Sequence, residues 1–224
     1  MNPTADPARP PCPHPLRRRL CACILRHCMG PHERALEPHR RALLRGLAGN
    51  VVEIGPGTGV NIPFLAAGAA GPIIYTAIEP NTLLHADIRA AAEAAGFTAH
   101  ILPTSIGPGR LDLPDASADA VVCTLVLCSV PDPDAALAEI ARLLRPGGRL
   151  IIIEHVAAPR RTALRAIQRI VRPVWRVPGD GCDPARDTEA TLRRAPNLRI
   201  ESLTRFRAPI PVVSPHIAGV LVRV

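Results

Sequence analysis

Along the middle of the chain, short continuous apolar runs alternate with stretches of helical period. The runs are Val51–Ile54, Ile73–Ile78, Thr98–Leu102, Ala120–Leu125 and Arg149–Glu154. The stretches between them are Val60–Ala67, Asn81–Ala95 and Asp134–Leu144. Runs that are apolar throughout predict strands buried on both faces, and intervening helices predict parallel connections. Upstream, Pro31–Leu47 reads as a helix through Ala35, Leu36, Leu43, Leu44 and Leu47. Gly46 and Gly49 should stop it, and Pro38 should kink or split it. After residue 176 the pattern changes: Leu198–Phe206 and Ile217–Val222 read as strands joined by a Pro-rich loop, an antiparallel pair closing the sheet. The expected class is α/β, with helices on both faces of a mostly parallel sheet.

Composition narrows this picture. The chain has 224 residues, 47% hydrophobic and 21% charged, enough to bury one large core and to exclude global disorder. Aromatics are only 2%, which argues against a surface that stacks single-stranded bases. Six of the first 15 residues are Pro, so the opening segment should lack regular structure; residues 1–30 are expected to be a disordered or loosely helical basic lead. All 27 basic residues are Arg. Residues 1–45 carry nine Arg against three acids, residues 46–159 five against eleven, and residues 160–224 thirteen against five. An acidic middle therefore sits between basic flanks. No window of 18 consecutive apolar residues occurs, and Leu20–Leu25 is too short for a signal-peptide core, so a cytoplasmic protein is expected. The seven Cys then read as reduced thiols.

The strongest local motif is Glu53-Ile54-Gly55-Pro56-Gly57-Thr58-Gly59, a strand end, a glycine turn and a helix start. Glycines let backbone N–H groups approach a ligand closely, and a helix N-terminus adds a positive dipole. Val60 stands where a dinucleotide fingerprint needs its third glycine, and there is no Lys for a P-loop. Glu79, followed by Pro80, ends the next strand 24 residues after Gly55. A carboxylate there accepts two ribose hydroxyls.

From Glu53 to Glu154 this pattern resembles the class I S-adenosylmethionine methyltransferases. Leu113–Asp119 before the fourth strand and Leu143–Arg149 before the fifth, the latter a helix end with a left-handed glycine turn, resemble the family's usual connections. Four further blocks occur in order: Cys123-Thr124-Leu125-Val126-Leu127-Cys128-Ser129-Val130, Glu154-His155-Val156, Asp180-Gly181-Cys182 and Pro215-His216-Ile217. Together they resemble the methyltransferase-like seven group, the alkyl thiol methyltransferases, over roughly residues 30–224. The resemblance implies a Rossmann-like seven-stranded sheet with a C-terminal antiparallel hairpin over residues 31–224, with a lid insertion near 157–195. It implies S-adenosylmethionine held by Glu53, Gly55, Pro56, Gly57, Thr58, Gly59, Glu79, Pro80, Thr124 and Leu125, and methyl transfer to a small acceptor, a thiol favoured. Two departures stand out. Eukaryotic relatives begin with an apolar membrane-anchoring segment, whereas this chain begins Pro/Arg-rich, and Thr104–Arg110 lacks the acid that usually binds the adenine amine.

Direct displacement at a sulfonium needs alignment and exclusion of water rather than a metal. His155, just past the fifth strand, is the first candidate for a base or acceptor-orienting group; Asp180 and His216 are the others. Its side chain is expected near the transferable methyl. Residues 160–176 have helical period, with Leu164, Ile167, Val171 and Val174 on one side and Arg161, Arg165, Arg169, Arg172 and Arg176 on another. Such a helix packs its apolar side, or, with Trp175, rests peripherally on an anionic membrane. Cys12, Cys21, Cys23 and Cys28 with His14, His27 and His32 show no paired zinc spacing, and no metal is expected. Nucleic acid is not expected as substrate, since Leu125-Val126-Leu127-Cys128 stands where an Asn/Asp-Pro-Pro-Tyr/Phe tetrapeptide would. The alternatives are methylation of another small molecule, such as a lipid amine, quinone or natural product, or a non-catalytic cofactor-binding or membrane-associated module.

Overall fold

A computed structural model of the protein describes residues 15–107 and 109–224. Helices α1 (Pro15–His27) and α2 (Gly30–Leu43) precede strand β1 (Gly49–Ile54). There follow α3 (Ile62–Gly68), β2 (Ile73–Ile78), α4 (His85–Ala94), β3 (Ala99–Leu102), β4 (Ala118–Thr124), α5 (Pro133–Leu143) and β5 (Leu144–His155). Then come α6 (Ala163–Trp175), α7 (Thr188–Arg194), β6 (Leu198–Arg207) and β7 (Pro215–Arg223). The seven strands form one sheet in the order β3-β2-β1-β4-β5-β7-β6. Five are parallel; β7 runs antiparallel to β5 and to β6. Strand order reverses between β1 and β4, which opens a crevice at their carboxyl ends.

Neighbouring residues of one apolar run feed different cores, because successive strand side chains alternate faces. Val52, Val121 and Ile152 pack with Leu137 and Ile140 of α5 on one face. Val51, Val122 and Ile151 pack with Ile62 and Leu65 of α3 and Ile88 of α4 on the other. Each such side chain contributes roughly 1.5–3 kcal/mol of apolar transfer. Side-chain caps start the helices: Asp132 accepts from the N–H groups of Asp134 and Ala135, Thr162 from that of Arg165, and Asp187 from that of Ala190.

Three local expectations change. Pro38 lies within α2, which continues as one helix to Leu43 rather than splitting. Strand β5 opens at Leu144, five residues before the expected start. Leu144 already pairs with Ala118, and an irregular stretch with Gly147 at φ +75° restores the register at Ala120 and Arg149. The apolar side of α6 is not its packed side. Ile167, Ile170 and Val174 are exposed, whereas Gln168 is buried, accepting from Ala158 N–H at 2.8 Å and donating to the Val212 carbonyl at 2.9 Å. Within the stretch read as a disordered or loosely helical lead, residues 15–27 form α1, whose Ala22 is buried; residues 1–14, with Cys12 and His14, lie outside the described residues.

Candidate active site

The crevice at the carboxyl ends of β1, β2 and β4 is a cavity of about 620 Å³. Of the ten residues expected to hold the cofactor, Gly55, Pro56, Gly57, Thr58, Glu79, Pro80, Thr124 and Leu125 line it, and Glu53 and Gly59 do not. Gly55 (φ +62°) and Gly57 (φ +60°) turn in the left-handed region that favours glycine. A Cβ on Gly55 would come within 2.6 Å of Val126 Cγ2, whereas one on Gly57 would meet only Leu25 Cδ1 at 3.5 Å. The turn thus leaves its backbone accessible to a ligand from the cavity side.

The Glu79 carboxylate is fixed at this turn. It accepts the N–H of Gly57 at 3.1 Å and that of Asn81 at 2.8 Å. Burial nevertheless pushes its pKa up to about 7, with the field of Asp180 adding to the rise. Two hydroxyl donors would relieve that penalty, as a ribose supplies. Glu53 acts one layer down. It is fully buried, and its carboxylate accepts from Tyr75 Oη–H at 2.6 Å and Asn61 Nδ2–H at 2.7 Å. Asn61 Nδ2 also donates to Thr124 Oγ1 at 2.9 Å, and Asn61 Oδ1 accepts from Arg40 Nε–H at 2.7 Å. This network ties β1, β2, β4 and α2 together beneath the glycine turn. Gly59 meets Ala91 Cβ and Ile62 Cδ1 instead, each 3.0 Å from where its own Cβ would stand, so it serves packing of the turn against α3 and α4.

Arg40 was not legible in the sequence as a site residue. It is 2% exposed, forms an ion pair with Glu33, and both line the cavity. Helix α1 was missed as well. Arg17, Cys21 and Leu25 line the cavity. Arg17 Nε lies 3.3 Å from Asp180 Oδ1, Arg17 Nη2 donates to the Arg176 carbonyl at 2.8 Å, and the Arg18 carbonyl accepts from Asn81 Nδ2–H at 3.1 Å. Arg26 bonds Asp87 and the Leu83 carbonyl, each at 2.7 Å. Helix α1 therefore bridges the segment after β2 and the segment after α6.

The opposite wall comes from the segments after β4 and α6. Leu125 (φ +60°) and Asp180 (φ +45°) are non-glycine residues in the left-handed region, and both line the cavity. Such strain persists where surrounding bonds over-determine the backbone. Around Leu125 those bonds come from Glu154, whose buried carboxylate accepts the N–H groups of Val126 and Leu127 at 2.8 Å and of Cys128 at 3.3 Å. Arg186 Nη1 donates to the carbonyls of Leu127 at 2.7 Å and Val130 at 2.5 Å, and Asp183 N–H donates to that of Cys128 at 2.9 Å. Ser105 and Ile106, from the loop lacking the adenine-binding acid, complete the cavity floor with no carboxylate.

Of the three expected catalytic residues, only Asp180 lines the cavity. His155 is buried and does not line it, because alternation along β5 sends Glu154 under the 126–128 turn and His155 to the other face. His155 Nε2 lies 2.9 Å from Cys182 Sγ. Burial opposes the charged ring, yet nearby Cys128 and the carboxylates of Glu154 and Asp183 hold its pKa above the ordinary value. His216 pairs with His32 instead, Nε2 to Nε2 at 3.1 Å, and its Nδ1 lies 3.1 Å from the Ser214 carbonyl. His216 borders a different groove with Val156 and Phe206. Burial lowers the pKa of both rings to about 4, so both are neutral near pH 7. Burial pushes the Cys123 thiol up, as expected of a core thiol rather than a nucleophile.

The fold agrees with what comparison with known proteins finds. A family model described as a methyltransferase domain matches residues 52–152. Human thiol S-methyltransferase TMT1B is 35% identical over 203 residues, covering 85% of this chain and 80% of that protein. The phosphatidylethanolamine N-methyltransferase of Cereibacter sphaeroides is 31% identical over 122 residues, covering 54% of this chain and 58% of that protein. Among solved structures, the N-methyltransferase NodS from Bradyrhizobium japonicum superposes with a TM-score of 0.67 at 14% identity, covering 92% of this chain and 98% of that one. The chain is thus a class I S-adenosylmethionine-dependent methyltransferase. Within that class it belongs to the same family as the proteins named thiol S-methyltransferase TMT1A and TMT1B.

Proposed function

We propose that the enzyme methylates a small thiol. The observation that carries the choice of acceptor is the 35% identity, over 80% of its length, to a protein named thiol S-methyltransferase. The cavity is consistent with it. Its acceptor side presents Leu125, Val126, Pro173 and Val177, and neither His155 nor His216 reaches it as a base. A thiol with pKa near 8.5 is already a few per cent thiolate at pH 7, so it needs alignment more than a strong base. When bound, S-adenosylmethionine supplies an electrophilic methyl group on a sulfonium sulfur.

In this reading Glu79 accepts the ribose hydroxyls, and the Gly55–Thr58 turn presents backbone N–H groups to the cofactor. The Arg40 guanidinium faces the cofactor's carboxylate and Glu33 its ammonium group. Leu125 and Thr124 wall its methionine end. Asp180, held by Arg17, sits at the acceptor side and takes or relays the thiol proton. The test is incubation with labelled S-adenosylmethionine against thiols, amines, phenols and quinols of similar size. Transfer to thiols supports the reading, transfer only to an amine or a quinol replaces the acceptor, and transfer to none favours a non-catalytic module.

We also propose peripheral contact with an anionic membrane. No helix among the described residues is long and apolar enough to cross one. Leu16 and Leu20 of α1 and Ile167, Ile170, Val174 and Val177 on and after α6 are exposed. Both helices also contribute to the cavity wall, through Arg17 and Cys21 on one side and Pro173 on the other. Exposed Arg169 and Arg172 stand among the apolar residues of α6. An apolar rim studded with cations suits an interface from which an apolar thiol enters.

A further inference from the structure

We infer that Cys128, His155 and Cys182 form a binding site for one thiolate-seeking divalent cation, Zn²⁺ being the fitting ion. One Sγ, one Nε2 and a second Sγ converge here from three separate segments: the turn after β4, the end of β5 and the loop after α6. Their ligand atoms all lie within 4.8 Å of one another, and all three residues are buried. No other group of three such side chains is this close among the described residues. Tetrahedral Zn²⁺ with Zn–S near 2.3 Å and Zn–N near 2.0 Å needs ligand atoms roughly 3.5–3.8 Å apart. The cluster reaches that spacing by side-chain shifts of about an ångström or less.

The surroundings suit thiolates. Trp175 Nε1 lies 3.3 Å from Cys182 Sγ and donates to it, an outer contact that fixes a metal-bound sulfur. The Cys182 loop is pinned by Asp183 N–H to the Cys128 carbonyl at 2.9 Å, which holds the two cysteine-bearing segments side by side. Two thiolates and an imidazole select Zn²⁺ over Mg²⁺ or Ca²⁺, which prefer oxygen. Binding takes the ion from solution, ionises both thiols and releases their two protons, with any proton held on His155 Nε2, to buffer. Two thiolates neutralise the ion, so the buried site gains no net charge. Three protein ligands leave a fourth position for water or an exogenous thiolate. Ser129 and Gly181, next in sequence to Cys128 and Cys182, line the cavity. The inference stands apart from the choice of acceptor, since a cation here would join the post-β4 turn to the post-α6 loop whatever is methylated.

The test is Co²⁺ and Zn²⁺ titration of reduced full-length protein, with cofactor binding measured in parallel to report folding. The expected result is one Co²⁺ per chain with a near-ultraviolet thiolate-to-metal charge-transfer band, displaced by Zn²⁺. Cys128→Ser and Cys182→Ser should each halve the band or abolish it and weaken Zn²⁺ binding at least 10-fold. A quadruple Ser variant of Cys12, Cys21, Cys23 and Cys28 should leave both unchanged. His155→Gln should keep the band and weaken binding. No band with the folded wild type would overturn the site. So would a band of undiminished intensity in both single variants, or one lost in the quadruple variant. Should the single variants fail to fold, alkylation of native protein decides. Labelling followed long enough to catch transient opening of these buried thiols should be slowed by Zn²⁺ at Cys128 and Cys182 and unchanged at exposed Cys23 and Cys28, and labelling of Cys128 and Cys182 at one measurable rate with and without Zn²⁺ would overturn the site.

Discussion

Gly57 donates its backbone N–H to Glu79 Oε2 across 3.1 Å, joining the glycine turn after β1 to the carboxylate that ends β2. Burial has pushed that carboxylate up to about 7, so it takes up a proton as pH falls through the neutral range. Ribose hydroxyls need it ionised. Cofactor binding should therefore release a proton below pH 7, and the Kd for S-adenosylmethionine should rise by up to about tenfold per unit as pH falls further. Calorimetry from about pH 5.5 to 8.5 measures this. Glu79→Gln should flatten the profile, and Glu79→Ala should cost roughly 1–3 kcal/mol of binding above pH 7.

The turn after β4, which lines the cavity through Leu125 and Val126, depends on Glu154 rather than on its own sequence. Its carboxylate gathers three successive backbone N–H groups and holds Leu125 at φ +60°. Glu154→Gln places an amide donor among those donors. Urea unfolding should show a loss of roughly 1–3 kcal/mol, and the rate of methyl transfer should fall more than cofactor affinity does. Equal loss of both would assign Glu154 to the cofactor side instead.

The buried imidazoles of His32 and His216 make folding acid-sensitive. The unfolded chain protonates its histidines near pH 6.5, whereas these two bind protons only near pH 4 when folded. The unfolded state therefore takes up more protons in that window, and stability falls as pH drops from about 6.5 to about 4, by up to roughly 3 kcal/mol for each ring. Glu79, raised to about 7, and the likewise raised Glu53, Glu154 and His155 act in the opposite sense and offset part of the loss. Thermal unfolding of wild type and variant against pH reads the histidines' share of the fall. His32→Gln, which keeps a polar partner for His216, should make that fall shallower.

Flotation with vesicles tests the membrane contact. Recovery with anionic vesicles at low salt and loss at high salt are expected, since charge attraction is screened beyond about 10 Å at 0.1 M salt. Ile170→Asp with Val174→Asp removes two exposed apolar side chains from α6 and should abolish recovery without altering Tm by more than a degree or two. Equal recovery with neutral vesicles would assign the exposed apolar rim to some other contact.

The parallel core was legible because both faces of its strands are apolar, so burial left a continuous signal from Val51 to Ile54 and from Ile73 to Ile78. The glycine turn and Glu79 were placed at the crevice mouth because a left-handed turn at a strand end favours glycine and a carboxylate at the next strand end comes to the same rim; Gly55, Gly57 and Glu79 all line the cavity. What stayed hidden depends on long-range partners. Arg40 looks like any helical arginine until α2 crosses the β1 end and its Nε meets Asn61. His155 looks catalytic by position, but pleat alternation turns it toward Cys182. The exposed apolar side of α6 misleads because helical period marks an amphipathic face without saying whether protein or something else covers it. Helix α1 was obscured by its arginines, and three of them, Arg17, Arg18 and Arg26, sit in the contacts that bind it to the site.

The choice of acceptor is tested most directly with a matched pair of substrates, an alkyl thiol and the alcohol of the same carbon skeleton, each with methyl-labelled S-adenosylmethionine. Product is read by mass spectrometry and rate by S-adenosylhomocysteine formation. The two acceptors fill the cavity almost equally but differ in pKa by several units, so only the thiol ionises appreciably without a strong base. The expected result is one methyl thioether per S-adenosylhomocysteine, with kcat/KM for the thiol at least 100-fold above the alcohol and rising with pH toward the thiol pKa. Comparable rates for thiol and alcohol, or label transferred to neither while an amine or quinol is turned over, would contradict the assignment of a thiol acceptor.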